Sequence, residues 1–126
     1  PQSSEFYIYL TTTHALSDAI KAKELEKIKE KLYTFQGRIK GNFDKSYLQK
    51  LWDKQNGLCA ISKVPMTHKS YLGRISTNVS VDRIDSTKRY TKSNIHLVCM
   101  IVNQMKSDLT IKELNYWCNK IINNKN

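Results

Sequence analysis

Cysteine, glycine and proline are all scarce in this sequence. The 126 residues include three cysteines, four glycines and two prolines. An odd and small number of cysteines fits a reducing compartment better than a disulfide framework. The chain also has no internal repeat and no low-complexity linker, and its length suits one domain with its own core. We therefore predict a single domain, 1–126.

The sequence also lacks a long apolar run and a signal-like beginning. No stretch approaches the length needed to cross a membrane, and no charged segment followed by an apolar segment opens the chain. A membrane partner is therefore not expected. We expect an intracellular protein, cytoplasmic or nucleoid-associated, and not a secreted one.

Acidic residues are few relative to basic ones. Aspartate and glutamate total 11, lysine and arginine total 21, and the formal net charge is +10. A compact domain with this imbalance attracts phosphate polyanions. Nucleic acid is therefore the expected partner, with double-stranded DNA as its leading form.

The most informative stretch is 78–106. Residues 79–82 alternate apolar and polar, which predicts a half-buried strand that presents Asp82 on its polar face. A polar connection, 86–94, follows. A helix is then predicted by the helical spacing of Val98, Ile101, Val102, Met105 and Leu109. A second stripe on that helix contains Cys99, Asn103 and Lys106.

Asp82 and Asn103 would meet if this strand and this helix pack together. Carboxylate and amide oxygens are hard ligands that suit Mg²⁺ or Mn²⁺. Magnesium often takes only one or two protein ligands and completes its shell with water and phosphate oxygens. The sequence therefore predicts a Mg²⁺ or Mn²⁺ site formed by these two residues.

Several short motifs occur together between residues 44 and 110. They are 57–62 (GLCAIS), 81–85 (VDRID), Tyr90, Asn94 and 99–106 (CMIVNQMK). Their joint spacing resembles the HNH, or ββα-metal, endonucleases. The resemblance implies an α+β fold with a small ββα-metal core and additional flanking helices. It also implies that Asp82 and Asn103 bind the metal and that Asn94 braces the loop.

One departure from the family concerns the group that activates water. HNH enzymes usually carry a general-base His directly after the metal-binding Asp, and this chain has Arg83 there. The sequence resembles a minority branch in which a later Tyr replaces the His, here Tyr90. The metal and Arg83 would favour its phenolate, and Arg83 would also grip a phosphate oxygen. His96 is the alternative base, because imidazole suits proton transfer near neutral pH.

A second departure concerns zinc. Many relatives have two CxxC pairs beside the site, but the corresponding pairs here are Cys59 with Ser62 and Cys99 with Val102. Each pair keeps one thiol, which argues against a structural Zn²⁺. The resemblance places Cys59 and Cys99 close together in the fold.

Basic residues surround the predicted site along the chain. We expect some of their side chains to contact phosphate oxygens of nucleic acid. The candidates are Arg74, Lys88, Arg89, Lys92 and Lys106. His68 lies in the polar loop 67–77 and is a third candidate base, although its spacing does not point to Asp82.

The domain divides into three segments. Residues 1–43 form a basic N-terminal arm, over 1–13, and a helix, over 15–33. Residues 44–110 form the HNH ββα-metal core, and 111–126 form the C-terminal helix. Residues 36–42 are predicted to be a loop.

Local sequence signals predict three further elements from residue 44 onwards. The core segment opens with a helix over 44–55, capped by Asp44 and ended by Gly57, and a short strand is predicted at 59–62. A capping box at 110–113 opens the last helix, whose apolar stripe is expected to cover the core.

The sequence thus predicts a metal-dependent endonuclease that hydrolyses phosphodiester bonds in DNA through a one-metal HNH site. The alternative is a catalytically inactive nucleic-acid-binding module on the same scaffold. Plasmid cleavage that a chelator abolishes would separate the two.

Overall fold

The computed structural model describes residues 18–39, 41, 43–69 and 73–124. Within these ranges the chain is α+β, as predicted, with four α-helices and one two-stranded antiparallel sheet. The helices are α1 (Asp18–Arg38), α2 (Lys45–Lys54), α3 (Met100–Lys106) and α4 (Ile111–Asn123). The strands are β1 (Val79–Arg83) and β2 (Ile95–Cys99).

The first helix is longer than its sequence suggests. Ile28, Leu32 and Phe35 recur at helical spacing and are all buried, so the apolar stripe of α1 continues beyond the predicted end. The prediction of a loop at 36–42 is therefore wrong at residues 36–38, which belong to α1. The arm predicted at 1–13 lies outside the described residues. None of the helices in the described ranges is long and apolar enough to cross a membrane.

Helix α2 forms as its local signals predict. The Asp44 side chain accepts a hydrogen bond from the Tyr47 backbone N–H at 3.0 Å, which satisfies a free donor of the first turn. Gly57 follows the helix at a φ of 71°, a conformation that glycine adopts without strain. Leu48 and Trp52 are buried in the core cluster. The predicted helix is confirmed.

The strand predicted at 59–62 is wrong. Residues 60–62 form a turn, and an isolated bridge joins Leu58 to Pro65. The turn is closed by the Cys59 N–H, which donates to the Val64 carbonyl at 2.9 Å. Lys63 lies within it at a φ of 64°. Because the chain reverses direction within these residues, they cannot form the continuous hydrogen-bond ladder of a strand.

Strand β1 confirms the predicted alternation, but its partner strand was not predicted. In the antiparallel register Val79 pairs with Cys99 and Asp82 pairs with His96. Residues 95–99 are buried at four of five positions. The helix predicted from Val98 onwards therefore begins only at Met100 and ends at Lys106.

The last helix has the predicted start but not the predicted burial. Thr110 and Glu113 form a complete capping box, with both hydrogen bonds at 3.0 Å. Leu114 is buried, whereas Trp117 is 56% exposed and Ile121 is 74% exposed. The expectation that its apolar stripe covers the core therefore holds only for part of the stripe.

Candidate active site

One face of β1 meets α3. Ser80 and Asp82 alternate along the strand and so share that face. The Asn103 Nδ2 donates to the Ser80 hydroxyl at 2.7 Å, and the Lys106 ammonium lies 3.3 Å from Asp82 Oδ2. The polar stripe of α3 therefore faces β1. Ile101, on the other side of α3, is 41% exposed.

A carboxylate and an imidazole are in direct contact at this face. Asp82 and His96 are opposite each other in the sheet, and Asp82 Oδ2 lies 2.7 Å from His96 Nε2. Asp82 is 5% exposed and the His96 side chain 12%. In the tautomer that donates Nε2–H to Asp82, the His96 Nδ1 is free to accept a proton. This pair is the arrangement of a base held in position by a carboxylate.

Lys106 is completely buried, with no exposed side-chain surface. Its ammonium lies 3.4 Å from Asp82 Oδ1, donates to the Arg83 carbonyl at 2.8 Å and reaches the Ser86 hydroxyl at 3.4 Å. The expectation that Lys106 contacts nucleic acid is therefore corrected, because a fully buried ammonium presents nothing to a polyanion. Its charge instead neutralises Asp82 and joins the end of β1 to the loop that follows.

The two predicted metal ligands lie on the same side of the sheet. Asn103 is fixed at the level of Ser80, and Asp82 is the next residue of β1 on that face, roughly 7 Å further along the strand. Since the Asn103 nitrogen donates to Ser80, its Oδ1 remains a hard donor. That Asp82 and Asn103 bind one hard divalent cation stays a prediction; both Asp82 oxygens contact the Lys106 ammonium, at 3.4 and 3.3 Å.

Asn94 closes the loop between the strands. Its Nδ2 donates to the Asp85 carbonyl at 3.0 Å and to the Arg89 carbonyl at 2.9 Å. Its Oδ1 accepts from the Asp85 N–H at 2.9 Å. The Asp85 carboxylate in turn accepts from the Thr87 hydroxyl at 2.7 Å, which lowers the pKa of Asp85. These bonds give the loop a fixed shape beside Asp82.

Arg83 and Tyr90 lie together at the edge of the site. The guanidinium carbon of Arg83 is 5.0 Å from the centre of the Tyr90 ring, a cation–π contact. Arg83 also donates to the Lys88 carbonyl at 3.2 Å. The backbone of Gly41 approaches Tyr90 closely, since a Cβ there would lie 2.8 Å from the Tyr90 carbonyl oxygen. Tyr90 is thus packed against two segments.

The other basic residues predicted to contact phosphate are exposed, in contrast to Lys106. They are Arg74, Lys88, Arg89 and Lys92. Lys88 lies 4.0 Å from Asp85, and the Lys92 ammonium lies over the Tyr47 ring at 5.5 Å. The exposed ion pair of Lys88 contributes little, and Lys92 contacts an aromatic ring. Both ammonium groups therefore stay available to an anion.

Cys59 and Cys99 are buried side by side. The hydrogen bond between the two thiols lowers the pKa of Cys59 and raises that of Cys99. The Ser62 N–H donates to the Cys59 sulfur at 3.4 Å. His68 is elsewhere, because its Nε2 lies 3.1 Å from Glu24 on α1. His68 is therefore not the base at Asp82.

Within the described ranges no three His, Cys, Asp or Glu side chains form a group that could hold a metal ion. The predicted ligand Asn103 is an amide and so falls outside such a group. No family model, curated protein or solved structure matches this chain.

Sequence reasoning missed one member of this site and two of its contacts. Ser80, which positions Asn103, could have been found because it alternates with Asp82 on the predicted strand. The role of Lys106 as the buried partner of Asp82 had no local signal, since the two residues are 24 positions apart. The contact of His96 with Asp82 required the register of β2, which was not predicted.

Proposed function

We propose that this chain is a metal-dependent endonuclease that hydrolyses phosphodiester bonds in DNA. The proposal is supported by the HNH-like spacing of its residues together with their position in the fold. Asp82, Asn103 and His96 come from β1, α3 and β2, and β1, β2 and α3 are packed on one another. The net charge of +10 supports a polyanionic substrate.

The observation that carries the proposal is the 2.7 Å contact between Asp82 and His96. A buried carboxylate that orients an imidazole is an arrangement suited to general-base catalysis. His96 then takes the proton of the attacking water at Nδ1, while Asp82 holds the ring. His96 also lines an open groove, which gives water and substrate access to the ring.

A divalent cation held by Asp82 and Asn103 would polarise the phosphate and stabilise the departing oxygen. Arg83, at the edge of the site, binds a phosphate oxygen through the N–H groups of its planar guanidinium. Mg²⁺ or Mn²⁺ suits these oxygen donors. The exposed Arg74, Lys88 and Arg89 add contacts to the DNA backbone.

Tyr90 is the rival base. Its spacing in the sequence favours it, whereas the contact with Asp82 favours His96. The Arg83 guanidinium carbon lies 5.0 Å from the centre of the Tyr90 ring. The two assignments predict different mutant phenotypes, so they can be separated directly.

The test is plasmid cleavage in Mg²⁺ or Mn²⁺ by purified protein, with a chelator control. We expect His96→Ala to lower the cleavage rate by roughly 10²–10⁴-fold, the usual contribution of a general base. His68→Ala is the matched control, because His68 pairs with Glu24 away from Asp82. Tyr90→Phe is compared with Tyr116→Phe on the exposed face of α4.

Three outcomes decide the question. Loss of cleavage in His96→Ala alone supports the proposed base. Loss in Tyr90→Phe alone, with His96→Ala as active as His68→Ala, assigns the base to Tyr90. No chelator-sensitive cleavage by the wild-type protein refutes the nuclease.

A second function is favoured by the position of Lys106. Its ammonium already supplies a cation to Asp82 at 3.3 Å, which is the charge that a metal would provide. On this reading the chain is a nucleic-acid-binding module without catalysis. It predicts DNA binding that is independent of divalent cations and no cleavage in the plasmid assay.

A further inference from the structure

An open groove runs between α2 and the segment that enters β2. Its volume is about 710 Å³. The floor contains apolar side chains, among them Leu51, Leu58 and Ile95. His96 lies on its lining, so the groove reaches one member of the Asp82–His96 pair.

Three lysines from separate elements line this groove. Lys54 ends α2, Lys63 lies in the turn after Leu58, and Lys92 begins a 3₁₀ turn before β2. All three are exposed. None of the described residues that line the groove is acidic. Positive charges above an apolar floor strengthen the local field, so the groove attracts an anion more strongly than scattered surface lysines do.

Local contacts hold two of these lysines in place. The Lys63 ammonium donates to the Ala60 carbonyl at 3.0 Å, and the Lys92 ammonium lies 5.5 Å from the centre of the Tyr47 ring. Tyr47 is itself fixed, since its hydroxyl donates to the Lys92 carbonyl at 2.6 Å. Lys92 thus covers one side of the Tyr47 ring. The three ammonium groups are the contacts that the groove offers to a polyanion.

We propose that this groove binds one strand of DNA through its phosphates, with Lys54, Lys63 and Lys92 as contacts, and directs that strand to His96. The inference rests on the proposed function, because it takes DNA as the substrate. It adds Lys54 and Lys63 to the phosphate contacts and gives Lys92 a defined place among them. The apolar floor would accommodate the sugar faces between the phosphates.

The test measures binding without cleavage. Affinity for a short fluorescein-labelled DNA duplex is determined by anisotropy in EDTA at a series of KCl concentrations. The groove variant is Lys54→Gln/Lys63→Gln/Lys92→Gln. Its control replaces three exposed lysines that do not line the groove and so changes the net charge equally: Lys23→Gln/Lys112→Gln/Lys120→Gln.

We expect the slope of log K against log [KCl] to be less steep by roughly 2–3 in the groove variant, because each lost phosphate contact removes about 0.9 from that slope. The control should keep a slope close to that of the wild type. The charge-conserving Lys54→Arg/Lys63→Arg/Lys92→Arg variant should restore binding. Equal loss in the groove variant and the control would overturn the inference, because only net charge would then matter.

The outcome is independent of the nuclease test. If the wild type cleaves plasmid and the groove variant binds like the control, the groove inference fails and the nuclease stands. If binding depends on the groove lysines but no chelator-sensitive cleavage is found, the groove stands and the nuclease fails.

Discussion

Removing the charge of Asp82 should destabilise the fold, and not only affect activity. The Lys106 side chain has no exposed surface and Asp82 is 5% exposed. Breaking a buried ion pair by removing one partner costs about 3–5 kcal/mol, because the other charge stays buried and uncompensated. Lys106 keeps its bond to the Arg83 carbonyl at 2.8 Å. We therefore expect Asp82→Asn to lower the free energy of unfolding by about 3 kcal/mol, the lower end of that range.

Urea denaturation measures this loss, and a double variant identifies its cause. Asp82→Asn/Lys106→Met removes both charges, so it should be more stable than Asp82→Asn by roughly 2 kcal/mol or more. Asp108→Asn, at an exposed position after α3, is the control and should stay within about 0.5 kcal/mol of the wild type. The reasoning is refuted if Asp82→Asn is as stable as Asp108→Asn, or if the double variant is no more stable than Asp82→Asn.

Two further predictions concern the loop and the response to acid. Asn94→Ala removes three hydrogen bonds and should lower the free energy of unfolding by about 2–3 kcal/mol in urea denaturation. A loss no larger than that of exposed Asn115→Ala would contradict it. Acid should also destabilise the fold, because hydrogen bonds lower the pKa of three carboxyl groups below their unfolded values: Asp44, Asp85 and Glu113. Their contribution is full above the unfolded pKa and is lost as the pH falls through the folded pKa. Thermal melts at decreasing pH should show this loss, and Thr87→Val should reduce it; an unchanged acid response in Thr87→Val would count against the role of Asp85.

Elements with local signals could be predicted from the sequence. The cap of α2 at Asp44 and the capping box of α4 at Thr110 each depend on residues within one helical turn. The alternation of residues 79–82 likewise predicted β1. These features need no knowledge of distant parts of the chain, and all of them are confirmed.

Strand β2 was missed because pairing between strands is non-local. Val98 fits both a helical repeat and a buried strand, and short apolar segments do not distinguish the two by spacing alone. Its pairing with residue 80 of β1 makes it part of the sheet. The apolar Ile101 and Met105 are exposed, and the polar Asn103 contacts β1.

The sequence predicted most of the residues that belong to the candidate site, but not which of them contact each other. Asp82, Asn94 and Asn103 were identified by their spacing, which sequence alone provides. The burial of Lys106 depends on the desolvated pair that it forms with Asp82 across 24 residues. Net charge likewise indicated a polyanion without locating the groove, since Lys54 and Lys63 meet Lys92 only through the packing of α2 on the sheet.

The most direct measurement of the central claim is plasmid cleavage by wild-type protein and by Asp82→Asn/Lys106→Met, each in Mn²⁺ with and without chelator. The double variant avoids the buried unpaired ammonium, so a loss of activity in it is not a loss of fold. The account predicts chelator-sensitive cleavage by the wild type and none by the double variant when both are folded. Equal cleavage by the two proteins, or wild-type cleavage that the chelator does not reduce, would contradict it.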